Sequence, residues 1–163
     1  MKKKLKHSIL FYMDTLNLRK ATIEDCDTLF QWTNDPVTRK QSFSTDPIPY
    51  ETHIEWLTKK LANADSYLYI LEVEGEPSGT VRVDSDKDIG IISFSVAPQK
   101  RGHGLGIALL SMVKDAVLRD APNVAILKGE VKFDNFSSQK CFEYLGYAKN
   151  ETDSYIEYTL SIK

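Results

Sequence analysis

Ser93-Phe94-Ser95-Val96-Ala97-Pro98-Gln99-Lys100-Arg101-Gly102-His103-Gly104-Leu105-Gly106-Ile107-Ala108-Leu109-Leu110 is the stretch from which the rest of the chain can be read. Its lead-in, Ile89 to Val96, is apolar and β-branched and predicts a buried strand. Pro98 ends that strand, because proline has no N–H to give to a ladder. Three glycines then alternate with Arg101, His103 and Leu105. Beyond them Leu105, Leu109, Met112, Val113, Ala116 and Val117 fall on one face of a helix. The order is strand, glycine-rich basic loop, helix.

The first turn of a helix leaves backbone N–H groups without partners, and the macrodipole places partial positive charge there. Glycines let the backbone approach a ligand closely and take positive φ. Together these make a cradle for a phosphate or pyrophosphate, with Lys100, Arg101 and His103 adding charge around it. A tight strand-to-helix turn with solvated basic residues would show the same glycine density. The loop lacks the Gly-Lys-Ser/Thr ending of a P-loop, since it runs Gly106-Ile107-Ala108. It also lacks the glycine spacing of a dinucleotide-binding turn.

Arg101-Gly102-His103-Gly104-Leu105-Gly106, after a strand ending Val96-Ala97-Pro98, fits the pattern Arg/Gln-x-x-Gly-x-Gly/Ala. It resembles the acyl-CoA site of GCN5-related N-acetyltransferases (GNAT). The resemblance implies acetyl-CoA as co-substrate, no metal, and a CoA site at Val96, Arg101, Gly102, His103, Gly104, Leu105 and Gly106.

Bulk properties agree with such an enzyme. The 163 residues suit one domain with a real core. Apolar content of 42% and charged content of 27% are those of a globular protein, and a net charge of −2 argues against nucleic acid or an anionic membrane as partner. Cys26 and Cys141 have neither metal-like spacing nor a disulfide framework, which fits a cytoplasmic setting. Residues 1–14 read as an N-terminal extension before a domain at 15–163. Their apolar run is too short for a secretion signal, and no run is long enough to span a membrane.

Along the chain, residues 15–20 alternate as a first strand. Thr22 is a candidate N-cap for a helix reaching about Asn34, where Asn34-Asp35-Pro36 is a stop and turn. A polar stretch leads to a second helix from Glu51 to Leu61. Tyr67–Val73 and Ser78–Val83 form a hairpin, and Asp84 to Asp88 a solvated turn without the glycine and glutamate of a calcium loop. After the central strand, loop and helix come a strand over 124–131, a helix over 135–145 capped by Gly146, and a last strand over 155–162. The expected architecture is a mixed α/β single domain of order β-αα-βββ-α-β-α-β, which is also the GNAT element order.

In that family two neighbouring strands part and admit the pantetheine arm, which here implicates Val96, whose amide would bond the thioester oxygen. Gly129-Glu130-Val131-Lys132-Phe133-Asp134-Asn135 resembles the Glu-Val-Arg-x-x-Asn segment of N-terminal and ribosomal-protein acetyltransferases. Carry-over makes Glu130 the general base, which an ammonium acceptor needs before it can attack. A polar residue at a strand end is the plain alternative, but a carboxylate between Leu127 and Val131 asks for a reason. Asn135, with Ser138 on the next turn, matches positions that meet the CoA arm; Asn135 also suits an N-cap. The family's tyrosine acid falls on Phe142, which has no proton to give, leaving water, Ser138 or a tyrosine from elsewhere.

For the acceptor, Trp32, Asn34-Asp35-Pro36 and Arg39, followed by His53 and Trp56, are similar to acetyltransferases of UDP-linked 4-amino sugars. Arg39 would pair with a diphosphate, and Arg82 with ligand or a surface carboxylate. Aromatic residues here would stack on a ring or simply pack. The expected partner is a small-molecule amine, foremost a sugar nucleotide, with homodimerisation open. A protein N-terminus or polyamine is the alternative acceptor, and an inactive acyl-CoA-binding module the alternative class.

Overall fold

The structure, a computed structural model, describes residues 15–163, so the N-terminal extension lies outside the described residues. Strand β1 (Leu16–Lys20) leads through a single 3-10 turn into helix α1 (Cys26–Thr33). Helices α2 (Pro36–Gln41) and α3 (Tyr50–Ala62) follow. Strands β2 (Ser66–Val73), β3 (Glu76–Asp86) and β4 (Ile89–Val96) form an antiparallel run. Helix α4 (Leu105–Asp120), strand β5 (Ile126–Val131), helix α5 (Phe136–Tyr144) and strands β6 (Ala148–Glu151) and β7 (Ile156–Ser161) complete the domain.

The seven strands make one mixed sheet in the order β1-β2-β3-β4-β5-β7-β6. Among the described strands only β4 and β5 pair in parallel, as the helical crossover α4 requires. The expected mixed α/β fold is therefore present, with two additions. Helix α2 was expected as loop, and β6 was not expected at all. Helix α2 buries none of its residues, so no apolar period marks it. Its start is nevertheless written in Asp35-Pro36: Asp35 is the N-cap, accepting from the Thr38 N–H at 3.1 Å, and Pro36 is the first helical residue. The turn expected over Asp84–Asp88 is smaller, because β3 runs on to Asp86 and pairs with β4 throughout. Lys87, at φ 56°, makes the reversal.

Alternation divides the core. Tyr69 and Leu71 of β2 join Val81, Val83, Leu109, Val113 and Leu127 under α4 and α5. Leu68 and Ile70 face the other way, against Leu29, Trp32 and Leu57 of α1 and α3. Further along the sheet this second face turns polar, with Arg82, Asp84, Ser93, Ser95, Lys128 and Glu130 on it. Thus one face is closed by two helices, and the other is covered only in part. Helix α5 ends as expected at Gly146, whose φ of 81° suits only glycine. The Tyr147 N–H returns to the Phe142 carbonyl and the Gly146 N–H to that of Glu143, a Schellman ending.

Phe142 locks α5 to β5. Its ring stacks on Tyr158 at 5.1 Å and 8° and lies over Gly129, where an added Cβ would sit 2.3 Å from the Phe142 ring. Gly129→Ala is expected to destabilise the domain by about 1–3 kcal/mol. Thermal unfolding should show a loss of about 2–4 °C for each kcal/mol. An unchanged midpoint would mean the ring gives way freely.

Candidate active site

The parting of two strands follows from the register. Pairing between β4 and β5 stops at Ile92 opposite Gly129, while β4 continues to Val96 and β5 to Val131. The other edge of β4 stays paired, with Val96 opposite Gly79 and the Ala97 N–H donating to the Ser78 carbonyl at 2.9 Å. In an antiparallel ladder bonded and non-bonded pairs alternate. Val96, next to a bonded pair, therefore turns its own N–H away from β3 and toward the gap that β5 has left.

Beyond Val96 comes a 3-10 turn at Pro98–Lys100, closed by the Lys100 N–H on the Ala97 carbonyl. Gly102 and Gly104 take φ of 81° and 79°, where a side chain would be strained. Nothing lies within 4 Å of a Cβ added at Gly102, so this side of the loop is open. Helix α4 begins at Leu105 with no acidic residue in its first turn. Its Leu105 side chain is buried in the core. Gly106 has a packing reason instead: a Cβ there would meet Cys141 Sγ at 2.9 Å. An open glycine loop at a helix start fits a pyrophosphate.

The basic residues of the loop behave differently from the expectation. Arg101 reaches away to α2, where one of its terminal nitrogens donates to Asp35 Oδ2 at 2.7 Å and to the Thr38 hydroxyl at 3.1 Å. It ties the glycine loop to the N-terminus of α2. Lys100 pairs with Glu76 at 2.8 Å, and the His103 ring nitrogen sits 2.8 Å from the Arg101 carbonyl.

A cavity of about 500 Å³ opens from the gap onto the polar face of the sheet. Trp32, Arg39, His53, Arg82, Glu130, Asn135 and Ser138, each singled out from the sequence, all line it. Val96 and the basic loop residues are not among the lining. Asn135 caps α5, accepting from the Ser138 N–H at 3.2 Å. The loop between α2 and α3 forms the roof and is pinned from several sides. Asn34 accepts from the Ile48 N–H at 2.8 Å and donates to its carbonyl at 3.0 Å. Arg39 donates to the carbonyls of Thr33, Ser44 and Asp46 and to the Ser42 hydroxyl. Its guanidinium is thus committed to the roof, and the expected diphosphate contact gives way to that role. Lys132 donates to the Lys40 carbonyl at 2.9 Å and fastens the roof to the end of β5.

On the α3 wall, His53 is buried, with Nε2 3.2 Å from the Cys26 carbonyl. Burial lowers its pKa, which keeps the ring neutral near pH 7. His53 stacks on Trp56, and the Arg82 guanidinium lies 5.3 Å from the Trp56 ring centre. Arg82 donates to Asp84 at 2.7 Å and to the Ser93 hydroxyl at 3.3 Å, so the cation is held in place. Trp32 is only 5% exposed and serves mainly the core.

Glu130 projects to this polar face, away from Leu127 and Val131, whose side chains enter the core. The apolar neighbours that seemed to demand an explanation for a mid-strand carboxylate are on the other side of the sheet. Its position at the parting of the strands is what distinguishes it. Lys128 Nζ lies 3.1 Å from Glu130 Oε1 and 3.1 Å from Glu157 Oε2. Among the described residues no tyrosine lines the cavity, and Tyr147 and Tyr158 pack behind Phe142.

Several polar lining residues went unread in the sequence, among them Ser93, Ser95 and Gln41. Ser93 and Ser95 break the apolar pattern of β4 at alternate positions, which was the available signal. Gln41 presents a buried Oε1 with no hydrogen-bond partner among the described residues, and no local pattern announces it. Among the described residues no group of His, Cys, Asp and Glu is placed to hold a metal ion, and no helix is long and apolar enough to cross a membrane.

Comparison with known proteins bears on this arrangement. Solved structures share the fold over nearly their whole length. The aminoglycoside acetyltransferase AAC(6')-Ib with ribostamycin and coenzyme A superposes with a TM-score of 0.79 at 20% identity, covering 91% of this chain and 94% of that one. The spermidine N-acetyltransferase from Vibrio cholerae with CoA and spermine gives 0.79 at 15%, covering 91% and 96%. The ribosomal-protein acetyltransferase RimL with coenzyme A gives 0.78 at 12%, covering 92% and 96%. Comparison with curated protein sequences gives no significant match. The family model for the acetyltransferase (GNAT) domain matches residues 15–148. The chain belongs to the GNAT acetyltransferase family and is an acetyl-CoA-dependent N-acetyltransferase.

Proposed function

We propose that the chain acetylates the primary amine of a sugar nucleotide of the UDP-4-amino-sugar type. The observation that carries this reading is the make-up of the cavity wall. Its charged lining is Arg39, spent on the roof, Arg82, which is paired with Asp84 but fixed on the cavity side, and one carboxylate, Glu130. A polycationic acceptor would want several carboxylates, whereas an anionic acceptor is favoured by the fixed Arg82. The His53–Trp56 stack offers a flat surface for a planar or sugar ring. The unpaired Gln41 oxygen is satisfied by an acceptor N–H or O–H.

The chemistry assigned to this chain's residues follows from their places. Bound acetyl-CoA supplies an activated acyl group. The glycine loop and the start of α4 hold the pyrophosphate, and Asn135 and Ser138 flank the arm. The Val96 N–H donates to the thioester oxygen, where negative charge builds as the amine attacks. Glu130 takes the proton from the ammonium, directly or through one water. The new N–C bond forms as C–S breaks. A thiol of pKa near ~8.5 leaves as thiolate and takes its proton from solvent.

Thiol release should be compared across a UDP-linked 4-amino sugar, an aminoglycoside, spermidine and a peptide N-terminus. The sugar nucleotide is expected to show kcat/KM higher by about tenfold or more. A preference for spermidine or the aminoglycoside would contradict the acceptor assignment. Tightened melting with CoA but no thiol release with any amine would favour a binding module.

A further inference from the structure

Glu130 and Glu157 face each other directly across β5 and β7. Two carboxylates in opposed positions repel. Lys128 resolves this: two residues before Glu130 on the same strand, it shares the same face and places its ammonium 3.1 Å from each carboxylate. We propose that Lys128 is a positioning residue that fixes the Glu130 carboxylate at the strand gap by bridging it to Glu157. The proposal rests on the reading of Glu130 as the base.

The surrounding charges leave this role to Lys128. From β3, Arg82 is bound to Asp84; from α2, Arg39 is bound into the roof; from α3, His53 is buried and its pKa lowered. Lys132, just beyond the end of β5, is held by the carbonyls of Lys40 and Ser42. On β6, Asn150 stands opposite Glu157, and Lys149 turns to Glu143 and Glu151. From β4 the facing residues are serines, Ser93 and Ser95. The same contacts raise the Lys128 pKa, chiefly through Glu157 and then Glu130, so the cation persists throughout the working range.

The Glu130 carboxyl can be titrated by NMR in protein carrying 13C-labelled glutamate, its signal assigned by its loss in Glu130→Gln. Lys128→Met should raise the midpoint by about one pH unit, and Lys128→Arg should leave it near the wild-type value. Glu157→Gln should lower it, and this variant carries the test if Lys128→Met does not fold. With the UDP-linked 4-amino sugar as acceptor, the acid limb of kcat/KM should move the same way. Midpoints unmoved in both Lys128→Met and Glu157→Gln would overturn the proposal, even with Glu130→Gln inactive. Full activity of Glu130→Gln would instead remove the base assignment and leave the titration result standing.

Discussion

Replacing Glu130 with glutamine is expected to lower turnover about 10²- to 10⁴-fold while acetyl-CoA affinity stays unchanged. The carboxyl lies where β4 and β5 separate, on the sheet face that also carries Arg82. Glutamine keeps the shape and removes the proton acceptor. An ammonium has no free lone pair, so without a base only the small deprotonated fraction can react. That fraction grows with pH, so the variant should recover part of its rate in alkaline buffer. The checks are the rate of thiol release and a calorimetric titration with CoA. Wild-type turnover in the variant would show that the proton leaves by another route.

Gly104→Val should weaken CoA binding about 10- to 100-fold. Gly104 sits at φ 79° directly before the first residue of α4. A β-branched residue in that conformation is a genuine outlier. The loop relieves the strain by turning its N–H groups away from the position they share with the helix start. The core beneath is formed by Leu105, Leu109 and Leu110, so the melting temperature without ligand should fall far less than the affinity. Retained affinity in a calorimetric titration would show that the pyrophosphate is held elsewhere.

These two positions differ in how openly the sequence declared them. The glycine loop is local: a strand, a proline, three glycines and an amphipathic helix all speak within one short segment, and the structure follows them. Glu130 was singled out through a local segment as well, but the ion-pair partners around it were not. Glu157 stands beside it only because β7 pairs with β5, a contact of long sequence separation. Arg101 and Arg39 show the same limit. Their type announced an anion partner, yet sequence could not tell a ligand phosphate from Asp35 or from the carbonyls of a neighbouring loop. Helix α2 escaped because its residues stay out of the core, leaving cap chemistry as its only mark. Ser93 and Ser95 were hidden by reading β4 as uniformly buried, although one of its faces is the floor of the cavity.

A crystal structure with acetyl-CoA bound tests the account most directly. The account predicts the pyrophosphate against the N–H groups of Gly102 to Gly106, the arm between the ends of β4 and β5, and the thioester oxygen within hydrogen-bond distance of the Val96 N–H. A pyrophosphate bound away from the loop after Pro98, or β4 and β5 paired through to Val96 with the acyl group outside, would contradict it.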